Sequence, residues 1–129
     1  MNISEAADFA GLPAKTIRYY EEIGLVCPAR AANGYRDYAK SDIETLRFLA
    51  NARNLGFSIE DCRHLLSLYR DKDRASADVR ALTKERMAEI DEKIASLQAM
   101  KDTLDDLVRN CRGDARPDCP ILQNLAGRA

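Results

Sequence analysis

The sequence has no tryptophan, only five tyrosines and three phenylalanines, and a single histidine, His64. It has no run approaching the roughly 20 apolar residues that a membrane-spanning helix needs. Its opening, MNISEAADFA, lacks the basic and apolar blocks of a signal peptide. A cytoplasmic protein with no membrane partner is therefore expected. A strong global charge is also lacking: the formal net charge is -1, so any attraction to nucleic acid must come from local patches.

With 129 residues the chain can form one compact domain, or a small domain plus an extended element. A second large catalytic domain would not fit. The composition, 46% apolar and 32% charged, suits a helix-rich soluble protein. Four cysteines are present, Cys27, Cys62, Cys111 and Cys119. In a reducing compartment thiols serve metal or redox chemistry more readily than structural disulfides.

Helical spacing runs from Ile3 to Ala10, with Ser4 as the expected cap and Gly11 as the stop. A second helix is expected from Pro13 to Gly24, so that the pair reads as helix-turn-helix. On that second helix Ile17 and Ile23 turn toward the first, while Lys15, Arg18, Tyr19 and Glu22 share the other face. The following LVCPARAANGYRDYAK holds an Asn33-Gly34 pair between candidate strands, which predicts a small two-stranded wing. Ser41 with Glu44, and Ser58 with Asp61, read as capping boxes opening a third and a fourth helix.

From Ser76 to about Arg109 neither glycine nor proline occurs. The positions Met87, Ile90, Ile94, Leu97, Lys101, Leu104 and Val108 alternate spacings of three and four, which is a coiled-coil pattern. A helix of that length extends roughly 50 Å, too far to bury its stripe on the small domain before it. A second copy of the chain is the expected partner. After Asn110 comes CRGDARPDC, then a short helix starting at Pro120.

Between Lys15 and Arg36 lie four basic residues, and from Ile23 through Arg36 there is no acid. The second helix of a helix-turn-helix enters the major groove, its N-terminal residues over the base edges. Lys15 and Arg18 stand at that end, and Tyr20, Tyr35 and Arg36 are candidates for holding the backbone. Cys111 and Cys119 supply two thiols with no histidine nearby in sequence, and structural zinc usually takes four ligands in closer spacing. Two thiolates suit a soft ion that accepts two ligands, above all monovalent copper and its relatives silver and gold. A labile disulfide is the other reading of the pair. Cys119 precedes a helix start, where backbone N–H groups stabilise a thiolate. Cys27 and Cys62 read as packing residues, and Ser76 as an N-cap of the long helix.

These parts together resemble the MerR family of bacterial transcription regulators, and within it the copper-sensing CueR/HmrR type. The resemblance is carried by MNISEAADFAGLPAKTIRYYEEIGLV, NGYRDY, FLANARNLGFSIEDC, SADV and CRGDARPDCPILQNL, which cover almost the whole length. It implies a mainly α protein: a winged helix-turn-helix DNA-binding domain over residues 1–70, a hinge and antiparallel coiled-coil dimerisation helix over 71–110, and a metal-binding loop with a short helix over 111–129. It implies a homodimer on double-stranded promoter DNA, acting on RNA polymerase at that promoter. Cys111 and Cys119 match the family's copper ligands, and Ser76 the position where relatives for divalent ions have a third cysteine. Lys15, Arg18, Tyr20, Tyr35 and Arg36 match its DNA contacts. The expected function is copper(I)-responsive activation of efflux or detoxification genes, with no enzymatic activity. The alternatives are a sensor of silver(I), gold(I), zinc, mercury or lead, and a thiol-redox sensor.

Overall fold

The computed structural model describes residues 1–115 and 117–127. Its elements run α1 (Ile3–Ala10), α2 (Ala14–Glu22), β1 (Ala29–Arg30), β2 (Arg36–Asp37), α3 (Lys40–Asn54), α4 (Ile59–Arg70), α5 (Ser76–Arg109) and α6 (Pro120–Leu125). They divide into two units, Met1–Thr83 and Lys84–Ala129.

In the first unit α1 starts two residues earlier than a Ser4 cap would give. Asn2 is the cap, its side chain accepting the Glu5 N–H at 2.9 Å. Asparagine caps as well as serine, so Ser4 falls inside the first turn. Gly11 closes the helix at φ 69°, a left-handed conformation that costs other residues a steric penalty. Pro13 is the cap position of α2 and Ala14 its first residue. The helix ends at Glu22, with Gly24 just beyond at φ 76°.

The wing is antiparallel, pairing Ala29 with Asp37 and Arg30 with Arg36. Its turn is held by the Asn33 side chain, which accepts the Tyr35 N–H at 3.1 Å, and by Gly34 at φ 83°. Helix α3 begins at Lys40, ahead of the expected Ser41 cap. Ala39 leaves β2 with extended backbone, and the Asp42 carboxylate accepts its N–H at 2.8 Å. At α4 the expectation holds: the Ser58 hydroxyl accepts the Asp61 N–H at 3.0 Å.

The core gathers Ala6, Ile17, Leu46, Leu49 and Cys62, each 0% exposed, with Tyr20, Leu25, Val26, Tyr38, Phe57 and Leu66 around them. Helix α3 is the central element, carrying α1 on one side and α4 on the other. Each fully buried Leu or Ile contributes about 1.5–3 kcal/mol. Four arginines stitch the edges by donating to carbonyls or a hydroxyl. Arg47 reaches the Phe9 carbonyl (2.9 Å), Arg53 that of Phe57 (2.7 Å), Arg63 that of Ile23 (2.6 Å), and Arg70 the Thr45 hydroxyl (3.1 Å). Leu82 also packs against this core. The first unit therefore takes in the opening turns of α5, beyond the expected boundary at residue 70.

Ser76 is the first helical residue of α5, so it is placed one position past the cap role expected of it. In the second unit α5 continues to Arg109 and buries none of its residues. Met87, Ile94, Leu97, Leu104 and Val108 are each more than half exposed, as is Met100 beside them. Ion pairs such as Arg109–Asp105 (2.8 Å) decorate its surface, where exposed pairs contribute about 0–1 kcal/mol. Among the described residues no helix is long and apolar enough to cross a membrane.

Candidate nucleic-acid interface and metal loop

Helix α2 sorts its residues by face. Ile17 and Tyr20 point into the core, while Lys15, Arg18, Tyr19 and Glu22 are exposed. Lys15 and Arg18 are three residues apart near the N-terminal end, so their side chains lie on neighbouring turns of one face. That places two cations where a groove-reading helix presents its contacts.

Tyr20 corrects the expectation. It is 3% exposed, a core residue, where the sequence made it a candidate for holding the DNA backbone. Burial pushes its phenol pKa up, with the nearby Arg53 guanidinium opposing. Its position explains the difference: Tyr20 is three residues after Ile17, on the same buried stripe. Tyr19, 45% exposed, is the tyrosine on the outer face. Tyr35 stands free at the wing tip, 74% exposed.

Arg36 is committed within the chain. Its Nε donates to the Glu21 carboxylate of α2, and Arg30 Nη2 donates to the other oxygen of that carboxylate at 3.5 Å. Glu21 was invisible to sequence spacing, because its partners are 9 and 15 residues away. Beside them Tyr38 is 2% exposed, and its hydroxyl is buried without a hydrogen-bond partner among the described residues. Burial, reinforced by the Glu21 charge, pushes the Tyr38 pKa up.

In the second unit, Cys111 extends the last turn of α5, its N–H donating to the Val108 carbonyl at 3.1 Å. Gly113 turns the chain at φ 65°, and Cys119 caps α6, whose first residue is Pro120. Arg116, in the middle of the loop, lies outside the described residues. Cys111 and Cys119 are both half-buried and free. The Leu122 and Ile121 N–H groups and the Cys111 thiol lie near the Cys119 sulfur. Together these hold its pKa below the ordinary thiol value, the Leu122 N–H contributing most. A lowered pKa eases loss of the thiol proton, and the thiolate is the form that ligates metals. The pair thus fits a thiophilic ion.

The remaining candidates are elsewhere. Ser76 is exposed at the start of α5, and His64 is exposed on α4. Cys62 is fully buried, and burial pushes its thiol pKa up. Cys27 is exposed, against the expectation that it packs. It follows the buried Leu25 and Val26 in the loop that leads to β1. No cluster of three or more Cys, His, Asp or Glu side chains suited to a metal occurs among the described residues of the single chain.

Residues 1–68 match the family described as "MerR HTH family regulatory protein", and residues 43–107 the one described as "MerR, DNA binding". The chain is 58% identical to the HTH-type transcriptional regulator HmrR of Rhizobium leguminosarum bv. viciae over 129 residues, all of both chains. It is 48% identical to the HTH-type transcriptional regulator CueR of Salmonella typhimurium, with 98% of this chain and 93% of that one covered. The solved structure of the transcription regulator PbrR691 from Ralstonia metallidurans CH34, in complex with lead(II), has a TM-score of 0.82. It is 30% identical and covers 97% of this chain and 98% of its own. The helix-turn-helix, the wing, the long helix and these matches together make the chain a member of the MerR family, a transcription regulator and not an enzyme.

Proposed function

We propose that this chain is a copper(I)-responsive transcriptional activator, working in the cytoplasm as a homodimer on the promoters of copper efflux or detoxification genes. The observation that carries the metal half of the reading is the thiol pair: two free, half-buried cysteines, Cys111 at the end of α5 and Cys119 at the start of α6, facing one short loop. The likeness to CueR and HmrR regulators supports it.

Cys111 and Cys119 would hold the ion. Charge favours a monovalent one, because two thiolates and one monovalent cation leave a single negative charge. A divalent ion would call for another anionic ligand. Ser76, which matches the place of a third cysteine in the divalent-ion branch, offers only a neutral hydroxyl. Silver(I) and gold(I) share copper's coordination chemistry. The likeness to a lead(II)-bound regulator keeps a divalent sensor as the second reading.

On DNA, Lys15 and Arg18 would address the groove and Tyr35 the backbone, with Arg36 anchoring the wing. The exposed stripe of α5 is the surface for a second copy. The metal would supply the bias between two protein states, one of which distorts the promoter so that RNA polymerase engages it. Bending a short duplex costs on the order of 1–6 kcal/mol, so the ion must favour one state by a comparable amount.

The test is an anaerobic competition titration of the purified protein with copper(I) and zinc(II), read by X-ray absorption at the copper edge. Two sulfur neighbours, with zinc bound far more weakly, are expected. Tight zinc binding with three or four ligands would leave the regulator and overturn its signal.

A further inference from the structure

A partly buried acid stands between the recognition helix and the wing. Glu21 lies on α2 one turn beyond Arg18, with 19% of its side chain exposed. Its two carboxylate oxygens serve two different residues, Arg36 and Arg30. Those two arginines are the directly opposed pair of β1 and β2. Like charges facing each other across an antiparallel ladder repel. Strands of two residues each give the hairpin little stability of its own to resist that repulsion. The carboxylate converts the repelling pair into a bridge, and the bridge ends on the recognition helix. The buried Tyr38 hydroxyl lies in the same field, responding to Glu21, Arg36, Arg18 and Arg30 together, so these groups converge on one spot.

A helix and a wing meet a duplex at separate points, and contacts to the backbone fix register only if their spacing is held. We propose that Glu21 is a positioning residue for DNA recognition. It clamps Arg30 and Arg36 so that the wing sits at a fixed place against α2 and two guanidinium groups are withheld from indiscriminate phosphate binding.

This rests on the DNA-binding reading above, and it runs against simple charge counting. Removing an acid from a DNA-facing surface should by itself tighten binding to any duplex. The clamp instead makes Glu21→Gln lose discrimination.

The full chain is tested by fluorescence anisotropy over a range of salt. One probe is a duplex enriched by the wild-type chain from a random-sequence pool, and the other a scrambled duplex of the same composition. For Glu21→Gln, affinity for the enriched duplex is expected to fall roughly tenfold, about the effect of a mismatched site. Affinity for the scrambled duplex should rise, its log–log salt slope steepening by about one to two as the freed arginines reach phosphates. Adding Glu21→Gln to Arg30→Gln/Arg36→Gln should change the ratio of the two affinities no further, which a merely structural role would not produce. Equal tightening on both duplexes, or an unchanged ratio in a folded variant, overturns the clamp. Should Glu21→Gln fail to fold, the comparison passes to Arg30→Gln/Arg36→Gln. That double variant must lose discrimination for the clamp to stand. If the wild-type chain enriches no duplex at all, the DNA-binding reading falls, and the clamp with it.

Discussion

Arg63 on α4 donates to the Ile23 carbonyl at 2.6 Å, across 40 residues of sequence, and so seals the C-terminal end of α2. A cation there meets the negative end of the helix dipole and satisfies a carbonyl that the helix leaves unpaired. Because Arg63 is exposed, solvent screens part of the gain. Arg63→Ala should lower stability by about 1 kcal/mol, and Arg63→Lys by less. Urea unfolding followed by circular dichroism measures both. Equal stability of Arg63→Ala and wild type would show that water replaces the guanidinium without loss.

The thiols should react in a set order. Cys119 has a lowered pKa, so a larger fraction of it is thiolate at neutral pH than of an ordinary cysteine. Cys62 is buried with a raised pKa, so both access and ionisation protect it. Under limiting iodoacetamide at pH 7, peptide mass spectrometry of the reduced, metal-free protein should find Cys119 alkylated well before Cys62. Lowering the pH through the depressed pKa of Cys119 should slow its labelling. Cys62 should label only where the fold opens.

Sensing and DNA binding should separate by mutation. Cys111→Ser or Cys119→Ser should abolish metal-induced transcription while leaving affinity for an enriched duplex within about twofold, since neither residue belongs to the first unit. Arg18→Ala should do the reverse, weakening DNA binding by ~1–3 kcal/mol as a lost groove contact does, with copper affinity unchanged. Transcription assays paired with direct metal titration test both. A cysteine variant that still responds to copper would remove the loop from the sensor.

The α5 stripe should be needed for assembly. Leu97→Asp places a charge in the middle of an apolar row that is 62% exposed at that residue in one chain, so the substitution costs nothing until a partner covers it. Sedimentation should find wild type as a dimer and Leu97→Asp as a monomer with the circular dichroism of the first unit retained. A wild-type chain that sediments as a monomer at micromolar concentration would contradict the stripe's assigned role.

The helices were legible because their signals are local: apolar spacing, glycine stops, and the Ser58 cap that the structure repeats. The caps at Asn2 and Ala39, where Ser4 and Ser41 were expected, have a common cause. Several polar residues near each start could serve, and the chain's direction on entry selects one. Tyr20 escaped for another reason: its spacing from Ile17 marks it as core, but a phenol hydroxyl also suits a backbone contact, and only burial decides between the two. The two thiols could be named from the sequence, whereas the neighbours that lower the Cys119 pKa depend on how the loop folds back onto α6. Glu21 could not be found at all, because its meaning comes from two arginines that only the hairpin brings together.

The open row along α5 ties sensing to abundance. Every residue of the main core lies between Ile3 and Leu82, so the DNA-reading half is complete in a single molecule. Beyond Leu82, α5 and α6 contribute no buried residue among those described. If the proposed dimer forms through this row, dilution would cost the protein its second unit's partner surface and its paired hold on DNA together, while each first unit stays folded.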